Sequence, residues 1–298
     1  GGGRCNVTNN KEMDELIKHI PGNGRFLYSA LTSFGNKDII AFFERLGIRL
    51  KEEDNGRMFP VTDKAKTVVD ALINQVVKQG VTIRVNAPVA EVLYSDGTVC
   101  GVRLRSGERI ASTAVIVASG GKSVPHTGST GDGYAWAEQG GHTITELFPT
   151  EVPIVSNEPF IVSKELQGVS LRDVSLSVWN PKGKRIIEHR GDMIFTHFGV
   201  SGPIALRCSQ FVVKALKQFN VGNIILTIDL LPDRSADEIY NETLKLASAE
   251  SKKAIKNVLK GYLPDKMIPL LLAKAELDEQ LTYDNIPKQA WMELARVA

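Results

Sequence analysis

Cysteine is scarce in this 298-residue chain, and its placement argues against two chemistries. Cys5, Cys100 and Cys208 are far apart, odd in number and include no C-x-x-C, so neither a zinc ribbon nor a dithiol redox pair is supported. A reducing, cytoplasmic setting is the default for such a chain. The five histidines, His19, His126, His142, His189 and His197, show no metal-ligand spacing, and no metal is expected. Long apolar runs are missing too. The longest, around Met267 to Ala273, falls far short of the roughly 20 residues that span a bilayer. No signal peptide is visible. An excess of one charge is also absent: 36 basic against 34 acidic residues leave +2, which argues neither for nor against a polyanionic partner.

What is present is a soluble globular composition, 43% hydrophobic and 23% charged, in a chain long enough for two or three domains. Glycine is concentrated in two places. The first is the start, Gly1-Gly2-Gly3-Arg4-Cys5-Asn6-Val7-Thr8-Asn9. Consecutive glycines let the backbone lie close to a ligand, and the guanidinium and amides after them suit an anionic or carbonyl-rich one. With no Met and no strand before this motif, the chain reads as a piece of a longer protein.

From Lys11 to Leu46 the apolar spacing is helical, with Phe26, Leu27, Ala30, Leu31 and Phe34 as one series. Gly56 to Asp63 reads as a turn and short strand, after which Thr62 or Asp63 caps a helix that stops at Gly80. Consecutive strands follow at Val81–Val85, Val89–Tyr94, Val99–Leu104 and Ile110–Val117. The run Ala114–Ala118 suits a strand buried on both faces. A helix over Tyr134–Gln139 is predicted. Past Pro153 the texture becomes alternating β, as in Val174–Trp179, and past Asp233 it becomes helical and Lys-rich.

The second glycine concentration runs from Ala118-Ser119-Gly120-Gly121-Lys122-Ser123 to Thr130-Gly131-Asp132-Gly133. Its order is strand, glycine loop, helix. The strand delivers a pliable backbone to the sheet edge, and the helix start turns free N–H groups and a positive end toward a phosphate, ribityl chain or flavin carbonyl. Either glycine stretch alone could be an ordinary tight turn; two, each dense in hydroxyls and amides, point to a ligand site.

Together with Gly56-Arg57-Met58-Phe59-Pro60 and Phe195-Thr196-His197-Phe198-Gly199-Val200-Ser201-Gly202-Pro203, these motifs occur in an order that resembles the BaiN/YhiN-type flavoproteins, the NAD(P)/FAD-dependent or aminoacetone oxidase family oxidoreductases. The resemblance covers essentially the whole chain. Its Ala-x-Gly-Gly and Thr-Gly-Asp-Gly pieces are also similar to those of fumarate reductase and aspartate oxidase flavoproteins. The resemblance implies an α/β fold: a partial FAD/NAD(P)-binding, Rossmann-like domain with an inserted β-rich plus helical domain. The expected boundaries are 1–152 for the cofactor domain, 153–232 for the β-rich part and 233–298 for the helical part. The family's first strand with its Gly-x-Gly-x-x-Gly turn, and its C-terminal glycine-rich segment, have no counterpart here. The piece by itself is expected to hold FAD weakly or not at all and to be inactive.

The implied activity is hydride transfer between flavin N5 and a small-molecule substrate, with NAD(P)H as the other redox partner. Reduction of an activated C=C bond, in a steroid-like enone or an RNA uridine, is one family-level alternative; amine oxidation and a non-catalytic flavin-binding module are others. The cofactor is expected on Gly1, Gly2, Gly3, Arg4, Cys5, Asn6, Val89, Ala118, Ser119, Gly120, Gly121, Thr130, Gly131 and Asp132. Arg4 would face the flavin N1–C2 edge, or else form a surface ion pair. Cys5 reads as a packing residue beside the cofactor, Val89 as an adenine contact or plain sheet packing. His126, in the glycine-rich loop with Lys122, is a candidate proton donor or a solvated side chain. The Lys-rich helices, with Lys252, Lys253, Lys256, Lys260, Lys266 and Lys274 interleaved with Glu250 and Asp265, read as a solvated face rather than an RNA surface. His197, with Arg4 and Ser201, is the expected catalytic group. On this reading the His197 loop reaches the flavin and supplies a proton opposite the hydride, and Ser201 or Gly202 caps the helix that Pro203 opens.

Overall fold

Amphipathic spacing builds the first helices of this computed structural model, which describes residues 3–20 and 22–298. The described chain divides into two compact units that meet at Ile116/Val117. The first contains β1 (Thr8–Asn9), α1 (Met13–Lys18), α2 (Tyr28–Ser33), α3 (Asn36–Arg45), β2 (Leu50–Glu53), β3 (Arg57–Pro60), α4 (Ala65–Lys78), β4 (Val89–Ser95), β5 (Thr98–Leu104) and β6 (Arg109–Ala111). These strands make two antiparallel sheets, ordered β1-β3-β2 and β4-β5-β6. The second is the meander that the Asp96-Gly97 and Ser106-Gly107 turns announce. A small core of Phe43, Ile48 and Val68 joins α3 to α4, with Cys5 and Val7 packed against it.

The second unit contains α5 (Asp132–Gln139), β7 (Ile154–Val155), α6 (Pro159–Val162), β8 (Ser170–Trp179), β9 (Arg185–Phe195), β10 (Gly199–Ser201), α7 (Pro203–Phe219), β11 (Ile225–Asp229), α8 (Ala236–Ala249), α9 (Ile255–Val258), α10 (Ile268–Lys274) and α11 (Lys288–Val297). Its antiparallel sheet runs β11-β8-β9-β10-β7. Val174, Leu176 and Val178 of β8 alternate onto one face, where they join Met193 and Phe195 of β9 and Ile204, Ala205 and Cys208 of α7 in the core. The same core continues into the C-terminal helices through Leu259, Leu272, Trp291 and Leu294, all fully buried. Sheet and helices are tied again at Arg190. Its guanidinium grips Asp173 (2.8 and 2.7 Å) and Asp233 (2.6 Å to each oxygen), the latter just ahead of α8.

That clamp sets an acid response. Hydrogen bonds from Arg190 hold the Asp173 and Asp233 carboxyls below their ordinary value. Folded pKa values below the unfolded ones mean stability that is present above about pH 4 and lost as pH falls further. Arg190→Leu should therefore flatten the acid limb of an unfolding-midpoint-versus-pH curve. Because the carboxylates are mostly exposed, high salt should shrink the difference. An unchanged acid limb would show that the clamp contributes nothing.

Some expectations are corrected. Val81–Val85 and Ala114–Ala118 are not strands: neither run joins a ladder among the described residues. Runs of this kind need a neighbour on each side and cover on both faces. Here Val85 is 78% and Ile116 is 92% exposed. Of the last predicted strand only Ile110 and Ala111 pair, with β5. Val81–Val85 is held instead by Arg84, whose guanidinium makes two 2.8 Å bonds to Glu108. The cap of α4 is Lys64 rather than Thr62 or Asp63. Asp63 stands at φ +54, and its carboxylate is engaged with Arg4 and Lys51. The division between the compact units falls inside the apolar run, at 116/117.

Thiol labelling should report these environments. Cys208 is fully buried, and burial pushes its thiol up to about 11. Cys100 is exposed and Cys5 is half-buried. Alkylation of the native protein should proceed at Cys100 first, Cys5 more slowly and Cys208 only on unfolding. Native labelling of Cys208 would contradict the packing of α7 on the sheet.

Candidate functional site

The stretch opening at Gly3 is built into the first unit as an edge. Gly1 and Gly2 lie outside the described residues. Gly3 takes φ +77, and its carbonyl accepts from Ala65 N at 2.7 Å, at the start of α4. Arg4 Nε and Nη2 bond Asp63 at 3.0 and 2.6 Å, Nη2 reaches Glu53 at 2.5 Å, and the guanidinium lies 4.2 Å over the Phe59 ring. Lys51 joins the same pair of carboxylates at 2.6 and 3.4 Å. These cations hold Glu53 and Asp63 below the ordinary carboxylate range, Glu53 chiefly through Arg4 and Asp63 chiefly through Lys51. Asn6, with its amide nitrogen toward Thr8 O and Met58 O, makes bonds of 2.9 and 3.2 Å. Donors that suit a ligand are thus used here by the protein itself. The partners of Arg4 lie 49 and 59 residues away, a pairing that no local spacing signals.

Val89 is half-buried at the start of β4, opposite Leu104. It takes part in a sheet.

The glycine-rich loop belongs to the second unit. Gly131 is the cap of α5 at φ +82, a left-handed conformation, and as a glycine it offers the first turn no side-chain acceptor. A Cβ on Gly133 would stand 2.8 Å from Ser119 Oγ and 3.0 Å from Val117 Cγ1, so α5 is pressed against the segment that feeds the loop. A Cβ on Gly121 would meet Tyr134 Oη at 3.1 Å, and one on Gly131 would meet the Lys122 stem at 3.2 Å. Thr130 Oγ1 donates to Asp132 Oδ2 at 2.9 Å, fixing the turn before the helix. The result is a glycine-rich loop closely packed on its own Ser119, Lys122 and Tyr134, ending at a helix start that is capped by a glycine. Its chemistry fits the phosphate or the polar rim of a flavin nucleotide. Gly120, Ser119, Ala118 and Thr130 line the same loop; His126 lies on an exposed turn within it.

His197 sits at the tip of the hairpin between β9 and β10. Thr196 N and Oγ1 both donate to Gly199 O, at 2.8 and 3.2 Å, Phe198 N donates to Thr196 Oγ1 at 3.4 Å, and Ser156 N donates to Phe198 O at 3.0 Å. The imidazole is exposed and stands at 89° to the Phe198 ring, 4.8 Å between centroids. Ser201 differs from its expected place on a loop. It is a β10 residue opposite Ile194, half-buried, and the cap of α7 is Gly202, with Pro203 first in the helix. Pairing with β9 draws Ser201 into the sheet. Phe198 and Thr196 escape a search for titratable groups, although the aromatic beside a histidine on a Gly-flanked turn was legible in the motif itself.

Residues 1–231 match the HI0933-like protein Rossmann domain. The chain belongs to this family. Membership agrees with the motif order and with the α/β class. Among its relatives is the 3-dehydro-bile acid delta(4,6)-reductase of Clostridium scindens, 27% identical over 299 residues. That alignment covers 99% of this chain and 70% of the relative. The ribosomal RNA dihydrouridine synthase of Escherichia coli is 30% identical, with 97% of this chain and 67% of the relative covered. Its Haemophilus influenzae namesake is 28% identical, with 94% and 66% covered. The chain therefore spans about two thirds of the length of these relatives. Among the described residues no helix is long and apolar enough to cross a membrane. Of the lysines past Asp233, Lys253 and Lys256 pair with Glu250 and Glu279.

Proposed function

We propose that this protein is an FAD-dependent oxidoreductase that saturates a carbon–carbon double bond conjugated to a carbonyl. The observation that carries the reading is the glycine-rich loop that ends at the glycine-capped start of α5, in a chain of this family. The relatives' names point the same way: delta(4,6) reduction of a 3-dehydro bile acid and conversion of uridine to dihydrouridine both remove such a bond. When bound, the flavin supplies the hydride at N5, and NAD(P)H is the proposed source of its electrons. Gly120, Gly121, Gly131 and the first turn of α5 hold the cofactor's anionic or carbonyl groups. Arg4 is spent on its bonds to Glu53 and Asp63 and is assigned no role at the ring. His197 hydrogen-bonds the substrate or delivers its proton on the side opposite the hydride. The cofactor domain is proposed to run over 1–152, with the inserted β-rich part at 153–232 and its helical part at 233–298.

The test is cofactor extraction. The protein expressed together with whatever flanks it in its gene should release one FAD per chain on acid denaturation, identified by mass. Gly131→Val, which denies α5 its left-handed cap, should lower that ratio severalfold while circular dichroism stays unchanged. A folded protein that carries no flavin and takes none up would overturn the reading.

A further inference from the structure

A cavity of about 420 Å³ opens between the end of α3 and one face of α4, a size within the roughly 300–1,000 Å³ of small-molecule sites. Both helices belong to the first unit, and the cavity shares no residue with the glycine-rich loop or the His197 hairpin. Its floor is apolar. Leu46, Ile48 and Ala71 line it and belong to the small core around Phe43 and Val68. Ala71, the smallest of the three, keeps the space open. The rim is polar: Arg45 from the last turn of α3, and Asn74, Gln75 and Lys78 from the last turns of α4. No carboxylate lines the cavity, and Asp70, the acid earlier on α4, is taken by Lys66 at 2.7 Å. Among the described residues the four rim side chains make no ion pair and no hydrogen bond.

A cation in the last turn of a helix ordinarily answers the negative helix end. Both ends here are already closed by the chain. At α3, Gly47 N donates to Glu44 O at 2.9 Å and Ile48 N to Phe43 O at 3.0 Å. At α4, Gly80 N donates to Val77 O at 2.9 Å and Val81 N to Val76 O at 3.3 Å. Arg45 and Lys78 are therefore left facing the cavity with their donors unused.

We propose that this cavity is a binding site for a small phosphate monoester with a flat apolar body, of the kind an aryl phosphate or a free nucleotide presents. The guanidinium fork and the ammonium together offer more donors than one carboxylate accepts, whereas a phosphate monoester brings three acceptor oxygens and nearly two negative charges. The body rests on Leu46, Ile48 and Ala71. The amides of Asn74 and Gln75, each both donor and acceptor, meet its polar edge. The site stands apart from the function proposed above and does not depend on it.

Calorimetric titration of the full chain at about 0.15 M salt tests the assignment, with phenyl phosphate and AMP as the two arms. Inorganic phosphate, which lacks the body, and benzoate, which lacks the phosphate, are the controls. At least one ester should bind saturably and about tenfold more tightly than either control. Arg45→Gln and Lys78→Gln should each weaken that ester about tenfold, the scale of one hydrogen bond to a charged group. Ala71→Leu, which fills the floor and keeps every charge, should weaken it at least as much. The arm that responds identifies the source, and a response in both means that recognition stops at the shared chemistry. An ester that binds no more tightly than inorganic phosphate or benzoate overturns the site. So does affinity that survives Ala71→Leu in a folded protein, because diffuse attraction to exposed charge would then account for it. If Ala71→Leu does not fold, the two surface variants decide, and unchanged affinity in both overturns the proposal.

Discussion

Gly199→Ala should be among the most damaging single substitutions in the second unit, at about 3 kcal/mol, with a drop of roughly 10 °C in unfolding midpoint. A Cβ there would stand 2.0 Å from Ile154 O and 3.0 Å from Ser156 N. Both are backbone atoms of β7 and the residue after it, held by the ladder that pairs Gly199 with Val155 and Val200 with Ile154. Neither can move without breaking that ladder, so the strain has no cheap outlet. Gly183→Ala is the matched control. It also sits at positive φ, +75, in a hairpin turn, but nothing lies within 4 Å of its added Cβ. Its cost should be only the left-handed backbone penalty, about 1 kcal/mol. Thermal unfolding of the two variants side by side checks the pair. Equal losses would mean that backbone conformation, rather than close strand approach, decides what these positions tolerate.

His197→Ala should slow turnover about a hundredfold, the usual scale for removing a positioned acid. Flavin content and folding should stay as in wild type. The separation is expected because the imidazole is exposed and its contact is the neighbouring Phe198 ring. The turn beneath it is held by Thr196, Phe198 and Ser156 through bonds that do not use the histidine. Loss should fall on kcat if His197 delivers a proton, and on KM if it only binds the substrate. Turnover within about twofold of wild type would remove His197 from the chemistry and leave a capped turn with a solvated side chain.

Much of this arrangement was legible in the chain because it is local. The glycine loop, the α5 start, the β4-β5-β6 turns and Pro203 at the head of α7 depend on neighbours within a few residues. Glycine and proline report such backbone demands directly. What local pattern could not reach were choices settled across long separations. Asp63 looked like a helix cap, yet Arg4 and Lys51 claim its carboxylate. Ser201 looked like a loop hydroxyl, yet pairing with Ile194 makes it part of a strand. Val81–Val85 and Ala114–Ala118 carry the composition of buried parallel strands, but strand identity is a property of pairs. No described segment pairs with either run. Their apolar character is real, as the exposure of Ile116 and Val85 shows; composition states what such a run prefers and not whether a partner is at hand.

Electron transfer to a conjugated double bond is the step that most directly tests the proposed chemistry. The flavin-loaded protein would be reduced anaerobically with NADPH or NADH, then mixed with a 4-en-3-oxo steroid or a uridine-containing RNA while the visible flavin bands are followed. The expected result is bleaching by one of the nicotinamides, then recovery of the oxidised spectrum with one unsaturated compound and not with its saturated counterpart. The product should carry one hydrogen from the flavin and one from solvent, distinguishable by deuterium. A flavin that stays reduced in the presence of both conjugated compounds, yet reoxidises at once in air, would contradict the central claim.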